Sequence, residues 1–372
     1  MMFTTAQRWS LSILPFVSLL LGGCGGASSE EAPLGHVTAA KIYSSSPNGT
    51  GIHIGSTQPE SWLGLTGTSL TWFLTGLSQR SDGSWWATGW YSLDLGVISA
   101  DAQVLSVQFH GVTQRLRAVR TTGSRLSLDL RDSLGNVRTV QDDALVGLSL
   151  KLRVPDQLGL LFNNDWLRID SVGNVDSETG DVFGYQMSYL PEGVLGGTWS
   201  SYCKGPSGEA QRSVFYQGAQ WHPMNGARVD GASLVTMTCE SGSVAKCMRW
   251  GYRPWASAQL QSGSTTSLLD HHQACVHMKR ASYCGDSHAQ TIDGTQIYIN
   301  DLLDPALHSG PFDTIEALWT PTGASCVSNR RHPELPFLGC PLPLPTCPAT
   351  PSADYLLATS LPPSGSLLGL TD

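Results

Sequence analysis

Long apolar runs, Cys-x2-Cys spacings and sustained helical periodicity are all missing from this chain of 372 residues. The one apolar stretch, Leu11 to Leu21, is broken by Ser12, Pro15 and Ser18. It falls short of the roughly 20 residues that a membrane-spanning helix needs, so no transmembrane helix is expected. Charge is also scarce: 14% of residues are charged, with 22 Lys and Arg against 30 Asp and Glu and a net charge of −8. A negative chain without clustered Lys and Arg is poorly suited to phosphate backbones, which argues against nucleic acid as a partner. Cys239 to Cys247 and Cys275 to Cys284 are spaced too widely for a zinc knuckle, and neither a metal nor another cofactor is expected. Finally, no cysteine lies between Gly25 and Tyr202.

Cysteine is nonetheless informative where it occurs. Leu21-Gly22-Gly23-Cys24 resembles a lipobox, an aliphatic and two small residues before a cysteine, and it follows Arg8 and an apolar segment of secretory length. The resemblance implies a bacterial lipoprotein whose signal peptide, residues 1–23, is removed. Cys24 would then carry the acyl chains (diacylglycerol and palmitate) that anchor the protein to a membrane. Gly25 rather than Asp after the cysteine resembles outer-membrane sorting, with the body on the periplasmic or surface face of the cell envelope. Residues 24–48, rich in Ser, Ala, Gly and Glu, read as a flexible tether.

The other eight cysteines, Cys203, Cys239, Cys247, Cys275, Cys284, Cys326, Cys340 and Cys347, are an even set. In an oxidising compartment that parity points to up to four disulfides, and about a hundred connectivities remain open.

Residues 49–196 are cysteine-free and strand-like. Ser69–Thr75, Val104–Phe109, Arg125–Leu130 and Leu145–Val154 mix alternating apolar, aromatic and β-branched residues, with Gly, Asp and Asn clustered between them. The expected fold is mostly β: an N-terminal β-sandwich or barrel-like domain, then a disulfide-rich, β-dominated α+β domain over 197–335. Leu268 to Arg280 is the best helix. The Pro-rich tail, 336–372, reads as polyproline-like and unable to form a sheet interior, with its last twenty residues or so disordered.

The densest pattern lies in the second half. Cys239-x7-Cys247 precedes Trp250-Gly-Tyr-Arg-Pro-Trp255. Ala274-Cys275-Val-His-Met-Lys-Arg-Ala281-Ser-Tyr283-Cys284-Gly285-Asp286 follows, then Asp293-Gly294-Thr295, Glu316-Ala-Leu-Trp319 and Gly323-Ala-Ser-Cys326. This resembles the ADYC-domain family of bacterial envelope proteins, densely over residues 198–330 and more faintly upstream to Gly49. The tetrapeptide is Ala281-Ser282-Tyr283-Cys284 here, with Ser282 in place of the family Asp. The resemblance implies export and domain limits, and it carries over no catalytic residue.

Several segments invite chemistry. Gly285-Asp286-Ser287-His288 is comparable to hydrolases with a Gly-Asp-Ser serine. Neighbouring residues of an extended chain point to opposite faces, however, so a turn after a disulfide is the simpler reading. Ser243-Val-Ala-Lys246 matches S-x-x-K, but within an apparent hairpin and without companion motifs. His271, His272 and His277 lack the i, i+4 spacing of a helical zinc pair, so surface or capping roles are expected. Asp170, Asp176, Glu178 and Asp181 surround a turn without the repeating calcium-loop pattern. Trp85, Trp86, Trp90 and Tyr91 form one aromatic cluster. Trp250, Tyr252 and Trp255 form another, a candidate for ligand stacking, although core packing suits both clusters well. The expectation is a lipid-anchored binding or surface-architecture module, more a binder than an enzyme, with an envelope glycan or protein as partner. The alternative is an envelope hydrolase acting on glycan, peptide or ester, with Asp286, Ser287 and His288 as its candidate residues.

Overall fold

This computed structural model describes residues 46–48, 72–93, 96–155, 161–175, 180–191, 198–205, 208–286, 288–292, 295–312, 314–335, 337, 339–349 and 355–362. The signal segment, Cys24 and most of the tether lie outside them, as do Asp176, Glu178 and Ser287. The fold is mostly β: among the described residues 53% are strand and two segments are α-helices.

Along the chain, β1 (Ser46–Asn48), β2 (Trp72–Gln79), β3 (Trp85–Leu93), β4 (Gly96–Ser99) and β5 (Ala102–Phe109) come first. Next are β6 (Val112–Thr122), β7 (Arg125–Arg131), β8 (Val137–Gln141), β9 (Ser149–Pro155), β10 (Phe162–Asn174) and β11 (Phe183–Pro191). The short β12 (Ser200–Ser201) and β13 (Cys203–Lys204) lead into the long pair β14 (Ala210–Trp221) and β15 (Arg228–Cys239). Then come α1 (Ser243–Arg249), β16 (Ser257–Leu260), β17 (Thr265–Ser267) and α2 (Leu268–Arg280). The last strands are β18 (Thr295–Asp301), β19 (Leu303–Asp304), β20 (Ile315–Thr320), β21 (Gly323–Val327) and β22 (Leu357–Ser360).

Strands β3, β2, β15, β14, β11, β10, β9 and β5 pair antiparallel in that order, and β5 returns to β3 through Gln103–Trp86 and Ala102–Ala87. The eight strands close a barrel-like ring, which leaves no exposed edge along its wall. Strand alternation sets its inside: Leu150, Leu152 and Val154 of β9 face the core with Leu167 and Ile169 of β10. β6, β7 and β8 branch away from the end of β5 and add Val119, Leu126, Leu128 and Val140 to that core. The β5–β6 turn, His110-Gly111, has φ of 49° and 75°, the pair of left-handed residues that tight hairpins favour. Side chains fill the ring: a void of about 20 Å³ remains among Leu74, Leu128, Leu167, Met187, Phe215 and Met237, little more than the space of one water.

The pairing does not stop at residue 196. β14 and β15, beyond that compositional change, insert between β11 and β2. A closed ring needs strands from both sides of it.

A second core lies between the outer side of β14 (Val214, Tyr216, Trp221), helices α1 and α2, and the five-stranded sheet β1-β18-β22-β20-β21. Helix α2 spans the expected residues. Ser267 caps its start by accepting from Leu269 N–H at 3.2 Å. Asp270 in the first turn and Lys279 and Arg280 in the last suit the helix dipole. Because α2 is packed on both sides, His271, His272 and His277 are buried at 1%, 0% and 2% exposure, which corrects the surface role expected for them. Ser243–Lys246 is also corrected: it opens α1 rather than lying in a hairpin.

The tail requires the largest correction. Leu357–Ser360 forms β22, fully buried between β18 and β20 near the middle of its sheet. Prolines fill the preceding stretch but not this tetrapeptide, whose backbone N–H groups are all available to pair. Two disulfides, Cys284–Cys340 and Cys326–Cys347, hold the Pro-rich stretch in place. Cys203–Cys239 joins β13 to β15, and Cys247–Cys275 joins α1 to α2.

Candidate functional site

The Ala-Ser-Tyr-Cys tetrapeptide sits where α2 ends. Ala281 takes a left-handed conformation at φ 49°, its N–H bonds Met278 O, and Ser282 N–H bonds His277 O. This is the double closure that satisfies the last helical carbonyls. Ser282 is fully buried, and its hydroxyl donates to Asp286 O at 2.8 Å, so it closes the turn that follows the helix.

Tyr283 reaches inward to a buried ion pair. Its hydroxyl donates to Glu316 Oε1 at 2.8 Å and accepts from Arg331 N–H at 2.9 Å. Arg331 grips Glu316 through Nε at 3.0 Å and Nη2 at 2.9 Å, and both side chains have 0% exposure. The same guanidinium donates to Met278 O, Lys279 O and Thr291 Oγ1. Arg331 thus caps α2, neutralises Glu316 and fixes Tyr283, whose ring stacks on Trp319 at 5.5 Å. Burial, with Glu316 next in effect, pushes the Tyr283 hydroxyl far above its usual range. The glycines of this pattern are steric requirements. A Cβ on Gly285 would lie 2.0 Å from Thr322 O, and one on Gly323 would lie 2.7 Å from Gly285 N. The two loops touch backbone to backbone, and Ala324 N–H bonds Tyr283 O.

A second buried node ties β18 to the chain around α1. Asp301 accepts from the Tyr252 hydroxyl at 2.9 Å and from the N–H groups of Leu303, Leu307 and His308. Burial raises its pKa to about 6 against the pull of those donors. His308 Nε2 bonds Trp250 O, and Trp221 Nε1 donates to Gln273, which bridges to His277. Burial lowers His272, His277 and His308 to about 4.

These placements settle where the sequence candidates lie. Tyr252 is completely buried and offers no free face to a ligand, so the stacking expectation is corrected there. Trp250 and Trp255 pack, partly buried, against the same core. Trp85 and Tyr91 point into the ring, while Trp86 lies beneath Arg80 and Trp90 meets His222 edge-on. Ser243 is fully buried, out of reach of a substrate carbonyl. Asp170 pairs with Arg168, and Asp181 with Arg253. Asp286 and His288 do meet, Oδ2 to Nδ1 at 3.0 Å, on the exposed surface. No metal-ligating cluster occurs among the described residues.

The outer wall of the ring holds an arrangement that sequence reading missed. Ser106, Lys151, Trp166 and Leu190 lie abreast on β5, β9, β10 and β11. Gln108, Ser149, Arg168 and Ser188 form the next rung, with Gln103, Arg153 and Asn164 on the other side. Each cation of the wall rests on an aromatic ring: Lys151 on Trp166 at 5.1 Å, Arg153 on Phe162 at 4.1 Å and Arg168 on Trp199 at 4.1 Å. Ser106 also lines an adjoining open cleft of about 670 Å³, together with Leu105, Arg115, Arg131, Asp132 and Leu134. Arg115 and Arg131 stand directly opposite each other on β6 and β7, a like-charge pairing that opposes folding. Nearby Arg120 and Arg125 are matched by Asp129 and Asp142. Among the described residues Arg115 and Arg131 form no ion pair. The alternation of Lys151, Arg153, Trp166 and Arg168 along two strands was the available signal, but it becomes a surface only through register.

Comparison with known proteins adds one finding: the model of the ADYC domain matches residues 142–333. No curated protein and no solved structure matches the chain.

Proposed function

The chain belongs to the ADYC-domain family, and from that premise we propose that it is a lipid-anchored protein of the bacterial cell envelope whose body is a rigid binding module. The observation that carries this reading is the cation-bearing wall on a disulfide-held barrel. Its side chains are fixed by ring contacts and strand register, which lowers the ordering cost of binding. Tyr252, Tyr283 and Glu316 of the family pattern, by contrast, are spent on internal cross-links. Pairing of all eight cysteines after Cys24 in four disulfides suits an oxidising envelope compartment.

The anchor is Cys24, at the end of the Leu21-Gly22-Gly23-Cys24 motif. Cys24→Ala is expected to abolish incorporation of labelled fatty acid and to move the protein from the membrane to the soluble fraction. Unchanged labelling and fractionation would rule the anchor out. An outer-membrane destination follows from Gly25 and belongs to the same proposal.

A second reading, a hydrolase, has one observation in its favour: the Asp286–His288 pair is oriented as a carboxylate orients a catalytic base. Its test is hydrolysis of a panel of aryl esters and glycosides by the purified chain. The binding reading expects no turnover above background, whereas turnover abolished by His288→Ala would establish the hydrolase.

A further inference from the structure

We propose that the outer wall of β5, β9 and β10, with the adjoining Arg115–Arg131 cleft, is the docking face for an acidic polysaccharide. This deepens the binding-module reading and rests on it. Three features converge on that ligand.

The first is charge that folding does not account for. Arg115 and Arg131 oppose each other across β6 and β7, and Arg153 is an exposed cation on the neighbouring wall. The chain as a whole is acidic, at −8. A local positive face on a negative protein is therefore a property of position rather than of composition, and an anion bound between the two guanidinium groups would relieve their repulsion.

The second feature is fixity. Trp166, Phe162 and Trp199 each carry a cation over one ring face. The rings hold the charges in place, and faces so covered are not open to stacking bases, the interaction on which single-stranded nucleic acid binding depends.

The third is shape and edge chemistry. The rungs form an extended wall rather than a closed pocket, and neighbouring strands stand about 4.8 Å apart. Hydroxyl and amide groups of Ser106, Asn164 and Gln103 flank the cations, while the Ser188 hydroxyl donates to Asp170. A polyuronate chain presents the complementary pattern, a carboxylate on each residue flanked by hydroxyls. The rungs themselves contain no carboxylate. Of the two beside them, Asp170 is paired with Arg168. Asp132, which lines the cleft, is engaged within its own turn by Leu134 N–H and by the backbone and side-chain N–H groups of Asn136.

The test uses the purified full chain with its disulfides intact, in a nonionic detergent, passed over immobilised polygalacturonate and immobilised dextran. Retention is expected on polygalacturonate alone, with release as salt rises toward about 0.5 M, where screening is strong. The triple substitution Arg115→Gln, Arg131→Gln and Arg153→Gln replaces exposed side chains. It is expected to weaken polygalacturonate binding about tenfold or more with a thermal midpoint no lower than that of the native chain, since it also removes the Arg115–Arg131 repulsion. If that variant unfolds, the salt dependence of the native chain and the substitution Arg153→Gln alone decide. Absence of retention on polygalacturonate, retention that salt and the substitutions leave unchanged, or tighter binding to single-stranded DNA or anionic vesicles would overturn the proposal. Dextran retention that survives the triple substitution would overturn this face while sparing the binding reading. Turnover abolished by His288→Ala would defeat the binding reading itself.

Discussion

Arg331→Met is expected to cost about 3–5 kcal/mol of stability, the usual consequence of leaving one member of a buried ion pair without its partner. Glu316 would remain at 0% exposure with its counter-ion gone, and the carbonyls of Met278 and Lys279 would lose a donor. For a domain stable by roughly 5–15 kcal/mol, that is enough to lower folded yield. Tyr283→Phe is milder, about 1–3 kcal/mol, because it deprives Glu316 of one hydrogen bond and Arg331 N–H of its acceptor. The double variant Glu316→Leu with Arg331→Met should recover much of the single-variant loss, since replacing both charges removes the desolvation penalty. Guanidinium unfolding of the oxidised proteins measures all three. Equal instability of single and double variants would show that the capping of α2, rather than charge neutralisation, is what Arg331 contributes.

Acid is expected to destabilise the protein between pH 6.5 and about 4. Below pH 6.5 the unfolded chain protonates imidazoles that the folded chain keeps neutral, because burial lowers His272, His277 and His308 to about 4. The unfolded state then binds more protons, and stability falls as pH falls. Asp301 acts in the opposite sense. Its folded pKa of about 6 exceeds its unfolded 3.8, so below pH 6 the folded state holds a proton that the unfolded state has released. Three imidazoles outweigh one carboxyl, and the net slope near pH 5 is on the order of 2–3 kcal/mol per pH unit. Unfolding midpoints at pH 7.5 and pH 5 measure it, and His308→Gln should reduce the slope by about 1.4 kcal/mol per unit. A flat profile would mean that the buried imidazoles are protonated in the folded state.

Local physics was legible in the residues. The alternation of Leu126, Leu128 and Leu130 announced an amphipathic strand, and Leu268–Arg280 stood out as the best helix. Even cysteine parity pointed to up to four bridges, and four form. What escaped notice depended on partners distant in the chain. The tail looked unstructured because prolines dominate it, but β22 forms from four residues that contain none, between strands that begin about 60 and 40 residues earlier. The histidines of α2 looked like surface residues because a hydrophilic helix usually has a wet side, and here the barrel and the second sheet cover both sides.

The sequence by itself determined the strand-rich class, the helix α2, the even cysteine set and the family pattern, because each of these is written in short-range spacing and residue chemistry. Tertiary structure decided which cysteines pair, that strands from both sides of residue 196 close one ring, and that Tyr283, Glu316 and Arg331 meet. It also decided that Lys151, Arg153 and Arg168 share one wall with Trp166. These outcomes depend on strand register and on contacts between distant segments. A one-residue slip in a strand would turn its outward side chains inward, and composition alone carries no record of that choice.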